Sequence, residues 1–269
     1  MADNINNSEK SGVGGRMTFT QHLYELRKRI LISLGALFTF FLISMFYQNE
    51  LVEFLCMPHE KAAELLKADY KSDELAPRPH LISFKYGSPF ISYMKMAFLI
   101  SIFLSSPIIA IQIWKFISAG LYSNEKSIVY YFVPASFILF VSGCVIGYLI
   151  LTPYCLYFLA KYTNPSSNPA LISLDYSISE YLDLIILLTV IAGGVFQIPL
   201  VMALLSKINL INYKTYLKGW RFAIVIIWIV SAVITPPDVV SQIMFGIPMT
   251  ILYFIGVLLA WMMTKNSTG

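Results

Sequence analysis

The stretch SPFISYMKMAFLISIFLSSPIIAIQIWKFIS, residues 88–118, is an almost unbroken apolar run and decides the fold. A membrane-spanning helix needs about 20 consecutive, mostly apolar residues. In lipid the backbone must satisfy its own hydrogen bonds, and a helix does so within one segment. This stretch therefore predicts a helix that crosses a membrane.

Runs of the same kind recur along the 269 residues. The six are residues 30–47, 88–118, 128–161, 181–205, 222–234 and 239–263. The chain is 57% hydrophobic and 13% charged, with a mean hydropathy of +0.69, whereas soluble domains carry about 25% charged residues. These features predict an all-α, polytopic membrane protein with about six spanning helices. Long continuous runs argue against a β-barrel, whose strands alternate, and basic residues do not cluster as in a nucleic-acid site.

Charge placement predicts domain limits and orientation. Residues 1–17 are polar and are expected to form a disordered tail without a cleavable signal sequence. Residues 18–264 form the membrane domain, with a loop over about 48–87, and 265–269 form a second tail. Basic residues cluster before the first run and between the fourth and fifth runs. The positive-inside rule then places both termini in the cytoplasm and the 48–87 loop on the exported side.

The six runs differ in length, which predicts an uneven bundle. The fifth, residues 222–234, supplies about 20 Å of helix for a hydrocarbon layer about 30 Å thick. The second and third runs are long and should tilt or bend at Pro107, Pro134 and Pro153. Helices of unequal length would leave a concave surface facing lipid.

Two carboxylates on the predicted cytoplasmic side have two possible interpretations. Glu25 and Arg29 are four residues apart, which favours a surface ion pair within one helix. Glu125 would lie in the first turn of a helix, where acidic residues are common. Alternatively, each carboxylate could receive a guanidinium through bidentate hydrogen bonds.

Polar residues within the apolar runs are also open to two interpretations. Gln197, two residues before Pro199, either supports a helix kink or provides a polar lining for a substrate or partner helix. Thr235, Asp238 and Gln242 surround the turn between the fifth and sixth runs, where Asp238 would cap the next helix. Enzyme motifs, metal-ligand spacing and a cofactor motif are absent from the sequence. A small-solute secondary transporter remains an alternative, although it calls for buried ionisable residues and repeat symmetry.

Five motifs together resemble one family. They are HLYELRKR at 22–29, SPFISYMKMAF at 88–98, the stretch from SPIIAIQIWKFI at 106–117 to LYSNE at 121–125, GVFQIP at 194–199 and TPPDVVSQIMFGIPM at 235–249. In this order they resemble TatC, the receptor and core subunit of the twin-arginine protein translocase, over nearly all of the chain beyond residue 17.

The resemblance implies a curved, glove-like scaffold of six helices, with short fifth and sixth helices, in the bacterial plasma membrane. It also implies that the chain binds twin-arginine signal peptides of folded cargo and assembles with the single-span subunits TatA and TatB in a multimeric complex. The proton-motive force would drive export, without catalysis by this chain.

Residue roles also follow from the resemblance. The signal-peptide surface would comprise Glu25, Glu125, Arg27, Phe116, Leu121 and Tyr122. Gln197 would be an intramembrane polar position, and Thr235 and Gln242 would lie where partner helices dock. Pro58 would belong to the exported loop needed for activity, with Pro107, Pro199 and Asp238 as structural positions.

Some positions depart from the family pattern. Members of the family often have Glu where this chain has Gln197, which weakens the case for a role that requires charge and leaves a neutral hydrogen-bonding role. Ala119 replaces a frequent proline, and a basic pair after Glu125 is reduced to Lys126-Ser127. Residues 59–78 look like a charged insertion in the loop.

Overall fold

The computed structural model describes residues 19–69, 80–83, 86–121, 126–163, 175–236 and 238–265, almost all of them helical. The tails therefore lie almost wholly outside the described residues. The elements in chain order are α1 (Phe19–Ser44), α2 (Gln48–Asp69), β1 (His80–Ile82), α3 (Ser88–Gly120), α4 (Lys126–Ile146), a π-helical segment (Gly147–Leu151), α5 (Thr152–Thr163), β2 (Asp175–Ser177), α6 (Ile178–Val195), α7 (Ile198–Lys207), α8 (Tyr213–Ile234) and α9 (Val239–Lys265).

The number of candidate membrane spans agrees with the prediction of about six. Five stretches of the described residues are long and apolar enough alone: Ser88–Gly120, Tyr130–Lys161, Ile178–Lys207, Tyr213–Ile234 and Val239–Thr264. α1 qualifies only together with α2, from which a bend of 97° separates it. Its first turns carry the charged residues Glu25 to Arg29, which lower its apolar character.

Buried side chains join the helices in three clusters. One cluster connects α2 to α3 and α6 through Leu55, Met96 and Leu182. A second connects α5 and α6 with α7, α8 and α9. The third includes Trp114 and Leu204 and joins α3, α4 and α7. α1 packs along α3, and α7 packs along α9.

The expected loop after the first run contains regular structure. α2 buries Leu51, Leu55, Ala62 and Leu66, which lie on one helical face. Charged residues lie between these apolar residues, so the segment has no continuous apolar run and its sequence favours a loop. β1 pairs in parallel with β2, with His80 opposite Asp175. Part of the charged insertion, residues 70–79, lies outside the described residues.

The fifth and sixth helices are longer than their apolar runs suggest. α8 has 22 residues and α9 has 27, and a helix of 20 residues already spans about 30 Å. α8 starts at Tyr213, after Asn212 accepts a hydrogen bond from the backbone N–H of Lys214 at 3.1 Å. Neither helix is therefore short as a helix. Polar turns at residues 213–221 extend α8 beyond its apolar stretch, 222–234, and α9 covers its whole predicted run, 239–263.

Small residues allow α4 and α6 to approach closely. A Cβ added to Gly143 would lie 2.7 Å from the carbonyl oxygen of Ala192. A Cβ added to Gly193 would lie 2.4 Å from the Cys144 sulfur. Helix pairs in membranes use small residues in this way because close contact supplies the packing energy.

We expect Gly143→Ala to destabilise the protein, because the Ala192 carbonyl belongs to the backbone of α6 and cannot easily move. Overpacking of this kind costs about 1–3 kcal/mol. Thermal unfolding of the full chain in detergent measures the effect. Gly194→Ala is the control, since an added Cβ there meets nothing within 4 Å. Equal melting temperatures of the two variants would contradict the packing argument.

Candidate functional site

Glu25 is paired within the protein. It lies on α1, where Arg29 Nη2 contacts its Oε1, while Arg29 Nη1 donates to Gln112 Oε1 of α3 at 3.1 Å. The side chains of Glu25 and Arg29 are 18% and 21% exposed, respectively. The ion pair predicted from their spacing is confirmed, but it is about four-fifths buried and extends to a second helix.

Aromatic stacking joins the same two helices nearby. The rings of His22 and Phe116 stack with centroids 4.4 Å apart and planes inclined by 23°. The Nδ1 atom of His22 is buried without a hydrogen-bond partner among the described residues. The stack therefore fixes the beginning of α1 against the end of α3, one turn from Glu25.

The predicted signal-peptide residues are only partly described. Glu25 lines a shallow surface groove with Thr20, Gln21 and Tyr24. Arg27 is exposed on the same helix, and Leu121 is half-buried just after α3. Tyr122 and Glu125 lie outside the described residues. The structure therefore brings Glu25 and Phe116 to the same helix pair and leaves the placement of Glu125 open.

Gln197 forms a two-way hydrogen bond across helices. Ser136 of α4 donates its hydroxyl to Gln197 Oε1 at 2.8 Å, and Gln197 Nε2 donates to the Ser136 carbonyl at 2.9 Å. Gln197 is half-buried between α6 and α7, two residues before buried Pro199. The amide thus holds the helix break against α4, which favours the structural interpretation of this residue.

The turn between α8 and α9 is held by its own polar residues. Asp238 Oδ2 accepts from the backbone N–H of Ser241 at 2.7 Å, so the predicted cap is present. The Thr235 hydroxyl donates to the Ser231 carbonyl at 2.9 Å. Gln242 Nε2 donates to the Trp228 carbonyl at 3.1 Å. These three side chains stabilise the hairpin itself.

Comparison with known proteins decides the family. The family model described as Sec-independent protein translocase protein (TatC) matches residues 21–248. The chain belongs to the TatC family.

Relatives and solved structures agree with this membership. TatCy of Bacillus subtilis is 30% identical over 91% of this chain and 89% of its own length. A TatC of Helicobacter pylori is 32% identical over 90% of this chain and 88% of its own length. A crystal structure of the twin-arginine translocase receptor TatC is 28% identical, covers 90% of this chain and 99% of that one, and superposes with a TM-score of 0.74. This chain is therefore a protein-translocase subunit and a multi-pass membrane protein.

Two prolines inside the helices of this TatC-family chain, Pro58 and Pro107, have compensating donors. A proline removes the N–H that would bond to the carbonyl four residues earlier. Pro58 frees the Phe54 carbonyl, which accepts from the Tyr148 hydroxyl. Pro107 frees the Phe103 carbonyl, which accepts from Ser106 Oγ at 2.6 Å.

A third proline lies beside the π-helical segment. Pro153 lies two residues after the end of this segment, and Lys61 Nζ of α2 donates to the Leu149 carbonyl within it at 3.4 Å. Together with the contact from Tyr148, this bond attaches α2 to the bundle. The role of Pro58 in activity stays a prediction. In the structure Pro58 is a buried residue within α2.

One ionisable pair, between α3 and α6, was not predicted from the sequence. Lys95 of α3 forms an ion pair with Asp183 of α6 at 2.6 Å and donates to the Ser179 carbonyl at 3.5 Å. Asp183 lies inside the fourth apolar run, where an acidic residue needs a partner. Two opposite charges in separate apolar runs were the signal that could have identified the pair.

We expect Ser136→Ala to destabilise this chain by about 1 kcal/mol, because it removes one of the two hydrogen bonds between α4 and Gln197. Ser142→Ala is the matched control, since its hydroxyl bonds only within α4, to the Leu139 carbonyl at 2.9 Å. Thermal unfolding in detergent compares the two. If Ser142→Ala lowered the melting temperature as much as Ser136→Ala, the stabilising role of the interhelix hydrogen bond would be refuted.

Proposed function

We propose that this TatC-family chain is the receptor of the twin-arginine translocase and binds the arginine pair of signal peptides. The observation that carries the proposal is the environment of Glu25. This carboxylate lines a surface groove and already binds one guanidinium, that of Arg29. A site that holds a guanidinium from its own chain has the charge and geometry to hold one from a ligand.

A second carboxylate would receive the second arginine. Glu125 lies four residues after Leu121, which follows α3, and one residue before α4 begins. Phe116, near the end of α3, stacks on His22 of α1. The order of these elements supports a surface shared by α1 and the segment between α3 and α4, with Arg27, Phe116, Leu121 and Tyr122 around the two carboxylates.

The proposed orientation places this surface in the cytoplasm. Basic residues in the first turns of α1, at the end of α7 and in the first turns of α8 support it through the positive-inside rule. Both termini are then cytoplasmic, and α2 lies on the exported side of the bacterial plasma membrane. Cargo would reach the receptor before export, and the proton-motive force would supply the energy.

Partner subunits would assemble on the C-terminal helices. α8 packs mainly on α9 and exposes large apolar side chains, among them Phe222, Ile226 and Val233. Lipid or single-span helices of the TatA and TatB type would cover this face, near Thr235 and Gln242. In this proposal the chain binds and assembles and performs no chemical reaction.

The first test replaces the carboxylates. Glu25→Gln or Glu125→Gln should weaken crosslinking of twin-arginine cargo to the receptor in membrane vesicles by about 10-fold or more, because each removes a charge-assisted hydrogen bond. Glu53→Gln is the matched control, since Glu53 is exposed on α2 and away from this surface. Undiminished crosslinking of both variants, with each protein correctly folded, would contradict the assignment.

The second test concerns orientation. In a Cys56→Ser background, a membrane-impermeant maleimide added to intact cells should label Glu53→Cys and should not label Lys28→Cys. Both positions are exposed in the structure, so accessibility depends on the side of the membrane. After permeabilisation both should react. The reverse pattern in intact cells would place the termini on the exported side.

A further inference from the structure

We infer that Arg29 is an internal competitor for Glu25, so that a signal peptide binds by exchanging its arginine for one that belongs to the receptor. The inference rests on the proposed function and concerns the regulation and selectivity of the same site. It starts from the three-residue network of Glu25, Arg29 and Gln112.

Arg29 occupies the position that a ligand arginine would need. Its Nη2 atom contacts Glu25 Oε1, and both side chains are about four-fifths buried, being 21% and 18% exposed. In this partly desolvated setting the attraction between the charges is stronger than at a fully exposed surface. An incoming cation therefore meets a neutralised carboxylate, and it must displace Arg29 or share Glu25 with it.

The internal pair is not the strongest that an arginine can form. Arg29 Nε is buried without a hydrogen-bond partner among the described residues, and Nη1 points to Gln112. The bidentate arrangement that uses Nε together with one Nη is therefore not made with Glu25. A ligand arginine free to approach from the groove can form two parallel bonds, which are stronger.

Gln112 provides a place for Arg29 after the exchange. Its side-chain oxygen accepts from Arg29 Nη1 at 3.1 Å, and the residue is 8% exposed on α3. Arg29 can keep this bond while Glu25 turns to the ligand. In the exchange Glu25 loses its single contact with Arg29 and gains a bidentate contact with the ligand arginine.

Selectivity for arginine over lysine follows from this exchange. A lysine ammonium is a compact charge that cannot form the bidentate pair. It would replace the internal guanidinium contact with a weaker one, so its net gain would be small. Both cations face the same cost of displacing Arg29, so the stronger arginine contact still gives binding, whereas the weaker lysine contact falls below detectable binding.

The test measures binding of two labelled signal peptides, one with Arg-Arg and one with Lys-Lys, to the full chain in membrane vesicles that contain its partner subunits. Arg29→Lys keeps the charge and weakens the internal competitor. We expect it to bind both peptides more tightly and by a similar factor, about 5-fold, since the same cost of displacing residue 29 falls for both ligands. Arg29→Gln should shift both affinities in the same direction and further.

Lys28→Gln is the matched control for Arg29→Gln, because Lys28 is an exposed neighbour and its loss changes the net charge equally. A shift of the same size in both variants would show general electrostatics and overturn the inference. Unchanged or weaker binding by Arg29→Lys would also overturn it, and this variant decides if Arg29→Gln does not fold.

Glu25→Gln separates this inference from the proposed function. If Glu25→Gln binds the Arg-Arg peptide as tightly as the unchanged chain, the proposed site itself is wrong. If Glu25→Gln weakens binding while Arg29→Lys leaves both affinities unchanged, the site stands and only the competitor role of Arg29 fails.

Discussion

The structure depends on one constraint, which is that backbone polar groups in or beside lipid must find partners within the protein. Helices satisfy these groups along most of the chain, but a proline within a helix leaves one carbonyl without its usual N–H donor. At Phe54 and Phe103 a hydroxyl donates to the freed oxygen, and in the π-helical segment the Lys61 ammonium group donates to the Leu149 carbonyl. Two of these donors connect α2 with the π-helical segment between α4 and α5. The same constraint that shapes each helix thus also determines how α2 attaches to the bundle.

Close packing and polar pairing act together where α4 meets α6 and α7. Gly143 and Gly193 let the backbones approach until an added methyl group would clash. A few residues further on, Ser136 and Gln197 exchange two hydrogen bonds at the helix break. Small residues supply the van der Waals contact, and the amide satisfies polar groups that the approach would otherwise isolate. Gln197 therefore needs no charge to hold this junction.

The cytoplasmic surface proposed here is built on an ion pair, not on a free carboxylate. Arg29 links Glu25 to Gln112 and so connects α1 to α3, while His22 and Phe116 connect the same helices by stacking. An acidic residue kept partly buried is stable only with such a partner. A receptor for arginine can therefore carry an arginine of its own. In this proposal the Glu25 carboxylate both stabilises the helix pair, through Arg29, and binds the ligand arginine.

The sequence by itself determined the helical class, the approximate number of spans, the Glu25–Arg29 pair and the Asp238 cap, because these depend on local composition and on spacing along one helix. Helix lengths were predicted less well, since α8 continues through polar residues that hydropathy does not count. Only the tertiary structure decided three longer-range contacts. Gln197 bonds to Ser136, 61 residues away, Lys95 bonds to Ser179, 84 residues away, and Arg29 bonds to Gln112, 83 residues away. Such contacts depend on which helix faces meet, and no spacing within a single segment encodes that choice.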